Sequence, residues 1–235
     1  AVGALDVIEL WHGPTSAFKD MALQLLPQLM STARKKMGEQ DTILILVATS
    51  GDTGKAALEG FADAEGIRIM VFYPDGGVSP VQRLQMVTQE GANVSVCAVR
   101  GNFDRALELA RTAADRSGCA MVNSVNPYRL IGQRTGAWEI CEALGKAPDW
   151  HAIPVGNAGN ISAYWAGYSE YHKLGKIPNL PRMMGFQAEG AAPLVTGRPC
   201  PEPETVATAI RIGNPVSAHL ARAAVQESGG EFNAV

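Results

Sequence analysis

Short apolar, β-branched runs recur along the chain and alternate with longer segments in which apolar residues return every three to four positions. The runs Ile43–Ala48, Ile67–Tyr73, Asn93–Val99, Ala120–Val122, Ala152–Val155 and Arg182–Gln187 predict strands, each followed by Gly, Pro, Ser, Asn or Asp turn chemistry. The helical period predicts helices over Asp20–Met37, interrupted at Pro27, then Thr53–Ala64, Pro80–Glu90, Asp104–Ser117, Tyr128–Leu144 and Ser162–Leu174, with two more toward the C-terminus. Strands joined by helix-length crossovers pair in parallel, so the fold class is α/β. The stretch 197–203 carries three prolines, which forbid a helix or a central strand; it reads as a surface connection rather than a domain boundary. No repeat or low-complexity segment interrupts the pattern. Beyond the helical pattern that ends at Gly229 and Gly230 no closing element is visible, and the sequence reads as a piece of a longer chain.

Composition narrows the class. With 235 residues, 46% of them hydrophobic, the chain can bury one large core or two modest ones. A formal net charge of −3 argues against nucleic acid or an anionic membrane surface as the main partner, since both call for a basic face, and favours a small-molecule substrate. No apolar run approaches the roughly 20 residues that cross a bilayer, and no export signal precedes the first elements. Cys97, Cys119, Cys141 and Cys200 are widely spaced and form no C-x-x-C pair, which reads as reduced thiols in the cytosol and neither a metal site nor a disulfide framework.

Three segments carry candidate chemistry. In HGPTSAFKD, His12 to Asp20, a Gly-Pro turn leads to Lys19 at the start of a helical pattern. A lysine withdrawn from water loses pKa, and its neutral amine can form a Schiff base with an aldehyde; a solvated lysine at a helix start is the commoner outcome. In ATSGDTGK, Ala48 to Lys55, backbone N–H groups and hydroxyls converge at the open end of a strand and the N-terminus of a helix, which suits a carboxylate or phosphate. The alternative is an ordinary turn with Ser50, Asp52 or Thr53 capping the helix. It is not a nucleotide-triphosphate loop, because Thr49 stands where Gly is required and Ala56 where Ser or Thr is required. In GNAGN, Gly156 to Asn160, glycines let the backbone approach a bound group at another helix start, as in a phosphate cradle, although Gly and Asn also fill plain turns. The dinucleotide fingerprint G-x-G-x-x-G is not met. A lysine, an anion loop and a phosphate loop together are what a pyridoxal-phosphate site needs.

These strings, with YPDGGVSPVQRLQM, GNFD, VNSVNPYRL, IPVGNAGNISAYW, MMGFQAEGAAPLV and ATAIRIGNP, resemble threonine synthases, within the tryptophan-synthase-β type of pyridoxal-phosphate enzymes. The resemblance covers nearly the whole chain. Up to about Val99 it follows the bacterial and fungal branch and beyond Gly101 the plant-like and actinobacterial branch, as a mosaic would. It implies two open parallel-sheet domains with the cofactor in the interdomain cleft: 1–39 with 124–235 as a larger discontinuous domain, and 40–123 as a smaller insertion. It implies pyridoxal 5′-phosphate as cofactor and conversion of O-phosphohomoserine and water to threonine and phosphate. It further implies a cytoplasmic homodimer, and flanking segments beyond this sequence, one supplying a hydroxyl to the pyridine nitrogen. Lys19 would hold the cofactor covalently and shuttle protons. Gly156, Asn157, Ala158, Gly159 and Asn160 would hold its phosphate, Asp52 would lie near the pyridoxal 3′ oxygen, and Ser50, Gly51 and Thr53 would receive the substrate carboxylate. An ionised Asp52 cannot donate a hydrogen bond to a phenolate, so either its role differs from that of the asparagine that the second branch has there or the residue is protonated. Arg83, Lys55 and His12 are candidates for the leaving phosphate. The rival readings are a threonine or serine dehydratase of the same fold, against which GQRTGAWEI and MMGFQAEGAAP speak, and an inactive fragment that at most binds cofactor.

Overall fold

The computed structural model describes residues 3, 5–117, 120–121 and 128–235. Cys119, the end of the Ala120–Val122 run and most of VNSVNPYRL lie outside them. In chain order the elements are α1 (Asp20–Leu23), α2 (Leu26–Met37), β1 (Ile43–Ala48), α3 (Asp52–Phe61), β2 (Ile67–Pro74), α4 (Pro80–Val87), β3 (Val94–Val99), α5 (Phe103–Ser117), β4 (Ala120–Met121), α6 (Tyr128–Gln133), α7 (Thr135–Leu144), β5 (Trp150–Pro154), α8 (Gly159–Lys173), β6 (Arg182–Gln187), α9 (Pro193–Thr196), α10 (Ala218–Glu227) and β7 (Glu231–Ala234). They form two compact units, Ala1–Asn123 and Ser124–Val235.

In the first unit a parallel sheet has the order β3-β2-β1-β4. The chain winds outward from β1 to β3 and then returns past β1 to β4, so the direction of winding reverses beside β1. In such sheets ligands bind outside the carboxyl ends of the strands at this switch point, and the ATSGDTG loop leaves β1 there. The β1 run is apolar at every position because both faces are covered. Ile45 and Val47 pack with α3 through Ala57, Leu58 and Phe61, while Leu46 and Ala48 pack with α5 through Ala106 and Ala110.

The expected helix Asp20–Met37 is two helices. Pro27 has no N–H to give to the carbonyl of Leu23, and its ring clashes with that carbonyl, so the ladder breaks ahead of it and α2 restarts with Pro27 in its first turn. Leu23, Leu26 and Met30 then pack into the core under α3. Gly60 on α3 makes this possible, since a Cβ there would collide with the backbone of Leu23. Residues 1–39, which the resemblance assigns with 124–235, are accordingly part of the first compact unit.

In the second unit β5, β6 and β7 form a parallel sheet in that order. Ile153 and Val155 pack with α7, α8 and α10 through Ile140, Ile161, Tyr168 and Ala224. The expected helix Tyr128–Leu144 is divided at Arg134, where the Thr135 hydroxyl donates to the Gly132 carbonyl at 2.9 Å and competes with the helix ladder. Strand β7 is an element the hydrophobic pattern did not reveal, and it adds a parallel strand beside β6. Among the described residues no helix is long and apolar enough to cross a membrane.

Candidate active site

Lys19 lies at the end of a tight turn that its neighbours fix. The buried Asp20 carboxylate accepts the Thr15 N–H at 2.9 Å and the Thr15 hydroxyl at 2.6 Å, closing a loop over residues 15–20. Gly13 must be glycine, because any Cβ there would strike the Asp20 carboxylate. Ser16 adopts a left-handed conformation, φ 56°, inside the same loop. Lys19 itself is half-buried, its Nζ 4.9 Å from the centre of the Phe18 ring. A cation over an aromatic face gains electrostatic attraction, and the position leaves the amine partly withdrawn from water.

The second segment of this unit is the loop from β1 to α3. Its geometry differs from a simple side-chain cap by Ser50, Asp52 or Thr53. The cap residue of α3 is Gly51, at φ 140°, and the buried Thr49 hydroxyl accepts the N–H groups of Gly51 and Gly54, both at 2.9 Å. Thr49 therefore fixes the loop and takes up the Gly51 N–H, so Gly51 contributes conformation. Ser50, Asp52 and Thr53 are half-buried around the helix N-terminus, where the macrodipole favours an anion. Asp52 Oδ1 accepts a hydrogen bond from Gln82 Nε2 at 2.7 Å. Lys55 is engaged by Glu59 at 3.0 Å and by Gln89, and His12 by Glu9 at 2.7 Å, while Arg83 is exposed.

In the second unit the GNAGN loop joins β5 to the 15-residue α8. Ala158 caps the helix in a left-handed conformation, φ 64°, which turns successive backbone N–H groups into a concave nest. A Cβ on Gly156 would come within 3.0 Å of Ile210 Cα, so the ATAIRIGNP segment packs directly on the loop. Asn157 faces that side too: its Oδ1 accepts the Val216 N–H at 2.7 Å and its carbonyl the Ser217 N–H at 3.3 Å. Sequence reasoning missed Arg129. A Cβ on Gly159 would lie 2.7 Å from Arg129 Nη2, so the guanidinium sits against the first residue of α8. Burial lowers the Arg129 pKa, as expected for a cation partly removed from water. Guanidinium, nest and helix dipole all favour an anion at this loop.

The family model described as "Pyridoxal-phosphate dependent enzyme" matches residues 9–235. The chain belongs to this family of pyridoxal-phosphate-dependent enzymes. A threonine synthase of Synechocystis sp. is 48% identical over 222 residues, which cover 94% of this chain and 55% of the relative. One of Mycobacterium tuberculosis is 48% identical over 220 residues, 93% of this chain and 58% of the relative. A solved structure, a pyridoxal-phosphate-bound threonine synthase from Brucella melitensis, matches 97% of this chain and 56% of its own length, with a TM-score of 0.71 and 27% identity. The chain thus spans somewhat more than half the length of the relatives it matches. Threonine deaminases, at 18% and 20% identity, share the fold.

The residues present suit the family's cofactor. The GNAGN loop, with Arg129 against Gly159 at the start of α8, suits a phosphate, and the half-buried residue Lys19 carries an amine that can condense with an aldehyde. These residues lie in separate compact units, Lys19 and the SGDTG loop in the first and GNAGN in the second.

Proposed function

We propose that the whole protein is a threonine synthase, converting O-phospho-L-homoserine and water to L-threonine and phosphate. The observation that carries this reading is the 48% identity to threonine synthases across 94% of the chain, with its motifs in chemically suitable positions: a lysine on a fixed turn, an anion loop at the topological switch of one sheet, and a nest at the start of α8. In this reading Lys19 holds the cofactor covalently. Gly156, Asn157, Ala158, Gly159 and Asn160 hold its phosphate, assisted by Arg129. Ser50 and Thr53 receive the substrate carboxylate on a loop that Thr49 and Gly51 shape, with Asp52 beside the cofactor ring.

When bound, the cofactor supplies an aldehyde for covalent capture of an amine and a ring that withdraws electrons from the substrate's α carbon. With the cofactor bound, the Lys19 amine would take and return protons at the α and β carbons of the substrate. Ser50 and Thr53 hydroxyls with the α3 N-terminus hold the carboxylate, which keeps the α proton facing the lysine. Arg129, partly desolvated, gives strong charge-assisted hydrogen bonds to an anion at its loop. The discontinuous pairing of 1–39 with 124–235 in the whole protein, a homodimeric state and a cytoplasmic location belong to the same proposal.

The test is product analysis with the full-length protein and pyridoxal phosphate. O-phospho-L-homoserine should yield equal amounts of phosphate and threonine, and Lys19→Ala should abolish both. Deamination of threonine without phosphate release from O-phosphohomoserine would instead establish a dehydratase.

A further inference from the structure

Gln82 stands in the first turn of α4, outside the residues assigned to cofactor or substrate, and its amide reaches two places. Its Oε1 accepts the Ser79 N–H at 3.0 Å while Ser79 Oγ accepts the Gln82 N–H at 3.2 Å, a reciprocal capping box at the start of the helix. Its Nε2 donates to Asp52 Oδ1 at 2.7 Å in the SGDTG loop. The direction of the amide is forced, because the Ser79 N–H can only donate and so must meet the oxygen, which leaves the nitrogen for the carboxylate. The same amide occupies the space over Gly51, where a Cβ would collide with it and where φ is 140°. A capping box is satisfied by Glu as well as by Gln. Only Gln can also donate to Asp52.

We infer that Gln82 is a positioning residue for substrate binding: it ties the Asp52 carboxylate to α4 and keeps the α3 N-terminus open to a substrate carboxylate. This rests on the reading of SGDTG as the carboxylate loop. Asp52 is the first residue of α3, and a helix N-terminus attracts whichever anion lies nearest. An untethered Asp52 would compete for the N–H groups that the substrate needs and would repel its negative charge. The tether also gives Asp52 a role that needs no hydrogen bond donated by its own carboxylate.

A donor–acceptor exchange tests this. Q82E keeps the capping box but sets two carboxylates against each other, whereas Q82E with D52N restores the contact with its direction reversed. Two quantities are measured: hydrogen exchange of the Ser50–Gly54 amides in the cofactor-free full-length chain, and KM and kcat for O-phospho-L-homoserine in the holoenzyme. Q82E should speed loop exchange and raise KM, each ~10-fold or more, with a smaller change in kcat. The double variant should return loop exchange to within about threefold of wild type. Wild-type behaviour in Q82E, or a double variant whose loop exchanges as fast as that of Q82E, overturns the inference. Faster loop exchange in Q82E with an unchanged KM does so too, since the tether would then not govern substrate binding. If borohydride reduction leaves no pyridoxyl group on wild-type Lys19, the underlying functional reading fails on its own, while the exchange data still decide whether Gln82 fixes the loop.

Discussion

The His151→Gln variant should lose much of the acid sensitivity of the second unit. His151 on β5 is 6% exposed, its Nδ1 lies 2.8 Å from the Tyr168 hydroxyl, and the Tyr164 ring is 5.0 Å from its own. Burial pulls the His151 pKa from 6.5 down to about 4, and burial raises that of Tyr168, so a neutral imidazole faces a protonated phenol. The unfolded chain takes up the imidazole proton near pH 6.5 and the folded chain only near pH 4. Across that window the unfolded state binds more protons, and stability falls as the pH drops. The difference amounts to about 3 kcal/mol once the pH is below 4, and about 2 kcal/mol is already lost at pH 5. Glutamine fills a similar space and can accept the Tyr168 hydroxyl without titrating. Urea unfolding at pH 7.5 and pH 5 reads the effect through tryptophan fluorescence, since Trp138, Trp150 and Trp165 lie in this unit. Wild type should lose about 2 kcal/mol more than the variant between the two pH values. Equal losses would refute the buried neutral histidine. Because β5 runs directly into GNAGN, acid that loosens this strand should also loosen that loop.

Thr15→Val removes the hydroxyl donor to the buried Asp20 carboxylate and should lower the stability of the first unit by about 2 kcal/mol, while Thr15→Ser stays within about 1 kcal/mol of wild type; thermal unfolding of the three proteins checks the order. Gly156→Ala places a Cβ against the backbone of Ile210, which should cost about 1–3 kcal/mol and weaken pyridoxal-phosphate binding ~10-fold. Cofactor titration in the visible band measures it, and unchanged affinity would remove Gly156 from the phosphate site.

The elements that could be read from sequence are those whose local signals agree with their packing. The β1 run is apolar throughout because both faces are buried, and Pro27 marked a break that the backbone obeys. Strand β7 was illegible because Glu231, Phe232, Asn233 and Ala234 alternate over only four residues with one large apolar side chain, and pairing with β6 makes them a strand. At the candidate sites, the sequence proposes the lysine, hydroxyl and glycine residues but not the groups that hold them in place. Thr49 is one residue ahead of the run read as a cap, yet its hydroxyl shapes the loop. Arg129 is 30 residues from Gly159 in sequence, and no local pattern joins them. Gln82 carried a usable signal, the S-P-V-Q spacing of a capping box, but its bond to Asp52 exists only in three dimensions.

The most direct test of the central claim is to load the full-length protein with pyridoxal phosphate, reduce it with borohydride and map the modified peptide by mass. A pyridoxyl group on Lys19, absent from Lys19→Ala, is the predicted result. Modification of a different lysine, or none in a folded sample, would contradict the assignment of Lys19 as the residue that holds the cofactor.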